Sequence, residues 1–285
     1  MTNSSTNTWD MEISPRRSIL NIKEVWNYRD LLMLLVKRDV ISFYKQTILG
    51  PVWFFIQPVF TTIIFTFIFG NLAGISTDGL PQPLFYMAGI TTWNYFADCL
   101  LKTSTVFKDN ASIFGKVYFP RLIVPLSIVI SNLIRFGIQL LLLITVMVYY
   151  ADDSNSIGPN TSLLLFPLVV GIMAALGLGT GLIISAMTAK YRDLAFLVTF
   201  GVQLMMYTTT VIYPLSEAVA KYPDYAWIIR YNPMTVVIET FRWGLMGSGS
   251  FNWIDLGICT IITILIAVSG IVIFNRAEKN FIDTV

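Results

Sequence analysis

The sequence predicts an all-α membrane protein with six transmembrane helices and both termini on the cytoplasmic side. An N-terminal amphipathic helix lies at the membrane interface, and re-entrant outer helices sit between spans five and six. Three observations predict this. First, the 285-residue chain is 55% hydrophobic and 13% charged, whereas a soluble domain carries about a quarter charged residues. Second, apolar stretches recur near 51–70, 84–106, 122–150, 163–189, 194–213 and 254–274. A helix needs ~20 such residues to cross ~30 Å of hydrocarbon. The stretches are continuous, unlike the short alternating segments of a strand barrel. Third, the cations sort to one side. Of the 19 Lys and Arg, 15 fall in the arm before Gly50, at Lys102, in the 107–121 loop, in the Lys190–Asp193 turn or in the tail after Phe274. Segments 71–83 and 151–162 hold none, 214–253 holds only Lys221, Arg230 and Arg242, and Arg135 lies within a span. That asymmetry sets the orientation, with the cation-rich side cytoplasmic.

Residues 1–20 are polar and lack the apolar region of a cleavable signal, so a disordered cytoplasmic arm is expected. From Asn21 to Lys45, Ile22, Val25, Trp26, Leu32, Val36, Val40 and Phe43 recur three or four apart among charged residues. A helix of this pattern lies in the interface; a simple anchor and a gating or docking helix both fit it. The first span opens at Gly50-Pro51, contains Gln57-Pro58, whose proline bends a helix, and is rich in Phe. The second carries Trp93, Asn94, Tyr95 and Asp98, and the third carries Arg135. Charges inside a span are costly unless paired or wetted. Counted at 1.5 Å per residue, Asp98 and Arg135 differ in depth by roughly 9 Å, which an Arg side chain partly bridges. An intramembrane charge pair is expected, as structure or as pore lining.

The fourth span is rich in small residues, and Gly177 and Gly181 stand four apart. Close backbone packing is expected there, within the chain by default and as a self-association seam in the sharper reading. The long 214–253 connection holds an apolar stretch, Met234–Met246, interrupted by Glu239 and Arg242 and followed by Gly-Ser-Gly-Ser. Thirteen residues are too few to cross and return as full helices, so a re-entrant or interfacial outer helix is expected, as a gate or as a cap.

Several chemistries are excluded. The chain has no histidine, which removes imidazole ligands and every His-based nucleophile pair. Cys99 and Cys259 both fall in predicted spans and read as small buried residues. No phosphate-binding glycine loop occurs; Gly115-Lys116 is followed by Val117. The cytoplasmic segments are too short for an ATPase domain, so any pumping draws its energy from elsewhere. Asp98 and Arg135 alone are thin material for the ion relay of a secondary transporter. Asp152-Asp153, Glu217 and Asp224 read as solvated acids, and no metal or cofactor is expected in this chain. A net charge of +2 gives no reason to expect nucleic acid; the cations face membrane lipid.

A series of motifs then carries a resemblance. Phe43-Tyr44-Lys45-Gln46-Thr47-Ile48-Leu49-Gly50-Pro51-Val52-Trp53 is followed by Gln57-Pro58, by Met87-Ala88-Gly89 and by Trp93-Asn94-Tyr95-Phe96. Lys116-Val117-Tyr118-Phe119-Pro120-Arg121, Tyr191-Arg192-Asp193, Ile212-Tyr213-Pro214, Tyr231-Asn232-Pro233-Met234 and Phe274-Asn275-Arg276-Ala277-Glu278-Lys279 complete the order. From about residue 20 to the end, the chain resembles the permease subunit of polysaccharide-exporting ABC transporters, of the O-antigen, capsule or teichoic-acid type.

The resemblance implies one permease domain over 21–285 that forms a homodimer in a bacterial inner membrane. Two separate nucleotide-binding ATPase subunits would dock on it and supply ATP and Mg, and the cargo would be a lipid-linked polysaccharide. The loop after span two would be the coupling element, with Phe107, Lys108, Asp109, Asn110, Phe114, Lys116, Tyr118 and Arg121. Trp26, Tyr28, Arg29 and Leu32 would belong to a gate helix. Spans one and five would line the channel, with Trp53, Phe54, Phe60, Tyr207 and Tyr213 as candidates. Family members often carry an acidic or neutral residue where this chain has Arg135. Export of a drug, lipid or other small molecule is the alternative; a channel or secondary transporter, and a membrane-bound sugar transferase, are readings from other classes.

Overall fold

The computed structural model describes residues 22–45, 48, 50–114, 119–151, 158–191 and 193–282. The predicted arm 1–20, Lys116, Tyr118, Arg192 and Asp152-Asp153 lie outside the described residues. Among the described residues all regular structure is helical. The helices are α1 (Ile22–Asn27), α2 (Arg29–Tyr44), α3 (Trp53–Phe65), α4 (Gln82–Ser104), α5 (Val106–Asp109), α6 (Ala111–Phe114) and α7 (Ile123–Ala151). They continue with α8 (Phe166–Thr188), α9 (Leu194–Tyr207), α10 (Leu215–Lys221), α11 (Ala226–Arg230), α12 (Pro233–Met246) and α13 (Trp253–Ile282). The end of α3 widens into a π-helical turn over Thr66–Leu72.

Among the described residues four helices are long and apolar enough to cross a membrane: Trp53–Leu72, Ile123–Ala151, Ser162–Thr188 and Trp253–Glu278. The other two expected spans differ for separate reasons. Helix α4 has the length, 23 residues, but its Thr91, Thr92, Asn94, Asp98 and Lys102 lower its apolar content. It is the hub of the fold, buried without a break from Leu84 to Trp93, and its polar groups meet protein instead of lipid. Helix α9 has 14 residues, shorter than the expected 194–213. The chain leaves the helix at Thr208-Thr209-Thr210, where β-branched side chains crowd the preceding turn, and Pro214 follows.

The expected interfacial helix is two helices, broken at Tyr28. The break lets Val25, Tyr28, Leu31, Leu32 and Leu35 reach one cluster while Met33 and Leu34 stay exposed. A helix apolar on both faces suits a site with protein on one side and lipid on the other.

Helix α8 explains its glycines. A Cβ on Gly177 would meet the Cys99 Cβ at 2.8 Å and the Phe96 carbonyl oxygen at 3.0 Å, both on α4. A Cβ on Gly181 would meet Thr103 at 2.6 Å. On the opposite side Gly179 lies backbone to backbone against Ala267 and Gly270 of α13. Small residues let three backbones approach closely and pack without voids. This is contact within the chain, the default reading of that stretch.

Candidate functional site

At the cation-rich end one cluster gathers the α1–α2 residues above, Phe107, Phe114, Phe119, Ile123, Val124, Leu182 of α8 and Phe274 of α13. Phe107 is fully buried and stacks on Phe274 with centroids 4.6 Å apart. It also meets Phe114 edge-on at 6.1 Å. The Arg121 guanidinium lies over the Phe114 ring at 5.2 Å, and its NH1 donates to the Glu278 carbonyl at 3.4 Å. Around this interior the backbone turns twice. Thr105 Oγ1 donates to Asp109 Oδ2 at 2.6 Å, and Asn110 Nδ2 donates to the Val106 carbonyl at 3.1 Å.

The predicted coupling residues therefore divide. Phe107, Phe114 and Arg121 hold the loop from within, so they form its scaffold and present little contact surface. Lys108 and Asp109 face outward, together with Ser112 and Ile113. The gate-helix set divides too: Tyr28 and Leu32 pack on the same cluster, whereas Trp26 and Arg29 are exposed.

Midway along the bundle Arg135 joins three helices. Its NH1 donates to Asp98 Oδ2 at 2.6 Å, its NH2 donates to Gln57 Oε1 at 2.8 Å, and its guanidinium lies 5.6 Å from the Phe54 ring centroid. The offset in depth is closed by the reach of the side chain. Below it Lys102 Nζ donates to Asn132 Oδ1 at 2.7 Å, a second polar contact between α4 and α7. Gln57 did not figure in the predicted pair. Its signal was an amide in an apolar helix, which needs a partner as much as a charge does.

The opposite end is built around α12. Asn232 caps it, its side chain accepting from Met234 N at 3.0 Å, and Pro233 takes the first helical position. Gly247 ends it at φ 70°, where a side chain would be strained. Arg242 is 1% exposed. Its NH1 donates to the Thr210 carbonyl at 2.7 Å, and its NH2 donates to Val211 at 3.1 Å and Phe85 at 3.2 Å. The guanidinium lies 3.5 Å from the Phe85 ring centroid, and NH1 lies 3.5 Å from Glu239 Oε1. Thr210 and Val211 belong to the stretch where α9 stops, so Arg242 satisfies carbonyls that a broken helix leaves open. Non-helical backbone at membrane depth persists only where protein supplies such partners. Ser216 Oγ and Ser248 Oγ tie Asp78 of the 73–81 loop to this end, at 2.7 and 3.1 Å.

The five channel candidates fall in two groups. Trp53, Phe60 and Tyr207 stand exposed, whereas Phe54 lies beneath Arg135 and Tyr213 is half-buried, its hydroxyl donating to the Tyr207 carbonyl at 3.1 Å. Further rings stand exposed on the same helices: Phe67 on the α3 extension, and Phe196 and Phe200 on α9. Helices α3 and α9 thus each keep several exposed rings among the described residues. Among the described residues no group of three His, Cys, Asp or Glu is arranged to hold a metal.

Residues 30–246 match the family model described as ABC-2 type transporter. The chain is 28% identical over 254 residues to an O-antigen export system permease protein RfbA of Klebsiella pneumoniae, covering 89% of this chain and 94% of that protein. It is 27% identical over 222 residues to an O-antigen export system permease protein RfbA of Myxococcus xanthus, covering 78% and 82%. It is 20% identical over 250 residues to the polysialic acid transport protein KpsM of Escherichia coli, covering 86% and 92%.

Proposed function

Since the chain belongs to the ABC-2 type transporter family, we propose that it is the channel-forming permease subunit of an ATP-driven exporter that carries a lipid-linked polysaccharide across a bacterial inner membrane. In this reading α3, α4, α7, α8, α9 and α13 are six spans, with the cation-rich end in the cytosol and α12 re-entrant on the outer side. Two copies of the chain enclose the pathway, and separate nucleotide-binding subunits hydrolyse ATP. The alternation of ends supports it: Phe107, Phe114, Phe119 and Ile123 pack with α1–α2 and with Phe274 of α13, while the 73–81 loop bonds to the 214–253 segment.

One observation carries the reading. The rings of α4 are consumed by the core, with Tyr86, Trp93, Tyr95 and Phe96 at most 4% exposed, but Trp53, Phe60 and Tyr207 of α3 and α9 are left about half exposed or more. Sugars present apolar C–H faces that stack on rings without needing charge, so a polymer can slide past repeated weak contacts. The surface Lys108, Asp109, Ser112 and Ile113 is the proposed seat of the ATPase.

Alanine in place of Trp53, Phe60 and Tyr207 together is expected to slow glycan export about a hundred-fold, at roughly 1 kcal/mol for each ring removed. Basal ATP hydrolysis by the assembled complex stays unchanged. Export assayed on cells with matched protein abundance checks this; a fall in abundance alone would make these rings packing residues.

A further inference from the structure

On the outer side, between α12 and the chain entering α13, lies a narrow notch lined by Arg230, Thr235, Glu239, Ser250, Asn252 and Asp255. Its free interior is about 10 Å³, room for one hydroxyl-sized group. Two of its polar atoms are buried without a hydrogen bond: Thr235 Oγ1, on a side chain wholly withdrawn from the surface, and Glu239 Oε1, on one 2% exposed. Two other carboxylate oxygens of the lining are already engaged. Asp255 Oδ2 accepts from Arg230 Nε and NH2, both at 3.1 Å, and Glu239 Oε2 accepts from Ser250 N at 3.0 Å. An unmade bond at a buried oxygen costs about 1–3 kcal/mol, so two in one notch mark a place built for something that donates.

The charges say what kind of group fits. Each acid faces a guanidinium, Asp255 with Arg230 at 3.1 Å and Glu239 with Arg242 at 3.5 Å, so the notch is electrically balanced. A cation would have to compete with two arginines, and an anion with two carboxylates. A neutral group with a donating hydroxyl meets neither penalty. Beside the lining residues in the chain stand two exposed rings, Tyr231 after Arg230 and Trp253 after Asn252. Polar atoms that orient a hydroxyl and rings that stack on a sugar's apolar face are the usual means of holding a sugar, and these two chain segments carry both kinds of group.

We propose that this notch is an exit-side subsite for the hydroxyl or hydroxymethyl arm of a neutral sugar residue in the exported chain. The proposal rests on the glycan-export reading above. Glu239 Oε1 accepts from the sugar hydroxyl, Thr235 Oγ1 donates to its oxygen, and Ser250 and Asn252 border it. Because the notch takes one arm of one residue, it holds the emerging polymer weakly and briefly, as a moving chain requires.

The test uses the full-length protein in lipid nanodiscs with maltoheptaose as a neutral probe and oligosialic acid as a charged one, read by tryptophan fluorescence. Maltoheptaose is expected to change the emission saturably, and oligosialic acid much less. Thr235→Val keeps the shape and removes the hydroxyl; it is expected to weaken maltoheptaose at least five-fold with an unaltered unfolding temperature. Thr235→Ser, which keeps the hydroxyl, restores binding. Equal binding by wild type and Thr235→Val overturns the proposal, as does absence of neutral-sugar binding or preference for the charged probe. A loss of stability in Thr235→Val without a change in sugar affinity also overturns it, assigning the oxygen to a structural water. Glycan export by wild-type cells, measured in parallel, separates the two levels: export with an unresponsive notch removes only the subsite, and no export removes the wider reading.

Discussion

Arg242→Leu is expected to destabilise the protein by about 3–5 kcal/mol, the range for removing one partner of a buried charged network. The substitution strips the carbonyls of Phe85, Thr210 and Val211 of their donor and leaves Glu239 facing an apolar side chain. The guanidinium fills its site closely, since a Cβ on Gly89 would meet Arg242 NH2 at 2.8 Å and the Val211 carbonyl oxygen at 3.0 Å. Arg242→Lys is expected to fall between, since one ammonium cannot span three carbonyls on two segments. Glu239→Gln is milder still, because its amide oxygen can keep accepting from Ser250 N. Thermal unfolding of the detergent-purified protein, with monodispersity by size exclusion, checks the order Leu worse than Lys worse than Gln. An unchanged midpoint for Arg242→Leu would refute the capping role of this arginine.

The second large effect concerns Arg135. Arg135→Leu takes from Asp98 its ion-pair partner between α4 and α7, at a cost in the same range of about 3–5 kcal/mol. Asp98→Asn in that background removes the orphaned charge and restores part of the loss. A double-mutant cycle is expected to return a coupling of about 1–3 kcal/mol. Gln57→Leu adds a third side: it takes one bond from Arg135 but leaves the ion pair, so its effect is the smallest. Strict additivity between Asp98 and Arg135 would dismiss the pair as an energetic unit.

Much of the helical layout is legible from residue type alone, because lipid forces the backbone to satisfy itself and forces charge to the ends. Gly177 and Gly181 show the same legibility at finer grain: only a close backbone contact makes use of two glycines one turn apart, and α4 provides it. What stayed hidden depends on distant partners. The early end of α9 has a local cue in Thr208-Thr209-Thr210 and Pro214, but its stability comes from Arg242, 31 residues from Val211. Glu239 and Arg242 read as interruptions of an apolar stretch, and nothing local says that the arginine turns inward while the helix stays buried. Likewise the spacing of the expected coupling loop cannot tell that Phe107 and Phe114 point into the protein while Lys108 and Asp109 point out. That division is fixed by Phe274, more than 150 residues away in the chain.

The central claim is that this chain forms a passage and draws its driving force from a separate nucleotide-hydrolysing partner. Proteoliposomes test it most directly, comparing this chain alone with this chain co-purified with a co-expressed nucleotide-binding subunit. Translocation of a lipid-linked glycan into the lumen is the readout, with and without ATP. The expected result is no net translocation by the chain alone and ATP-dependent translocation by the complex. Uphill movement of glycan by the chain alone, or equal movement by the complex with and without ATP, would contradict it.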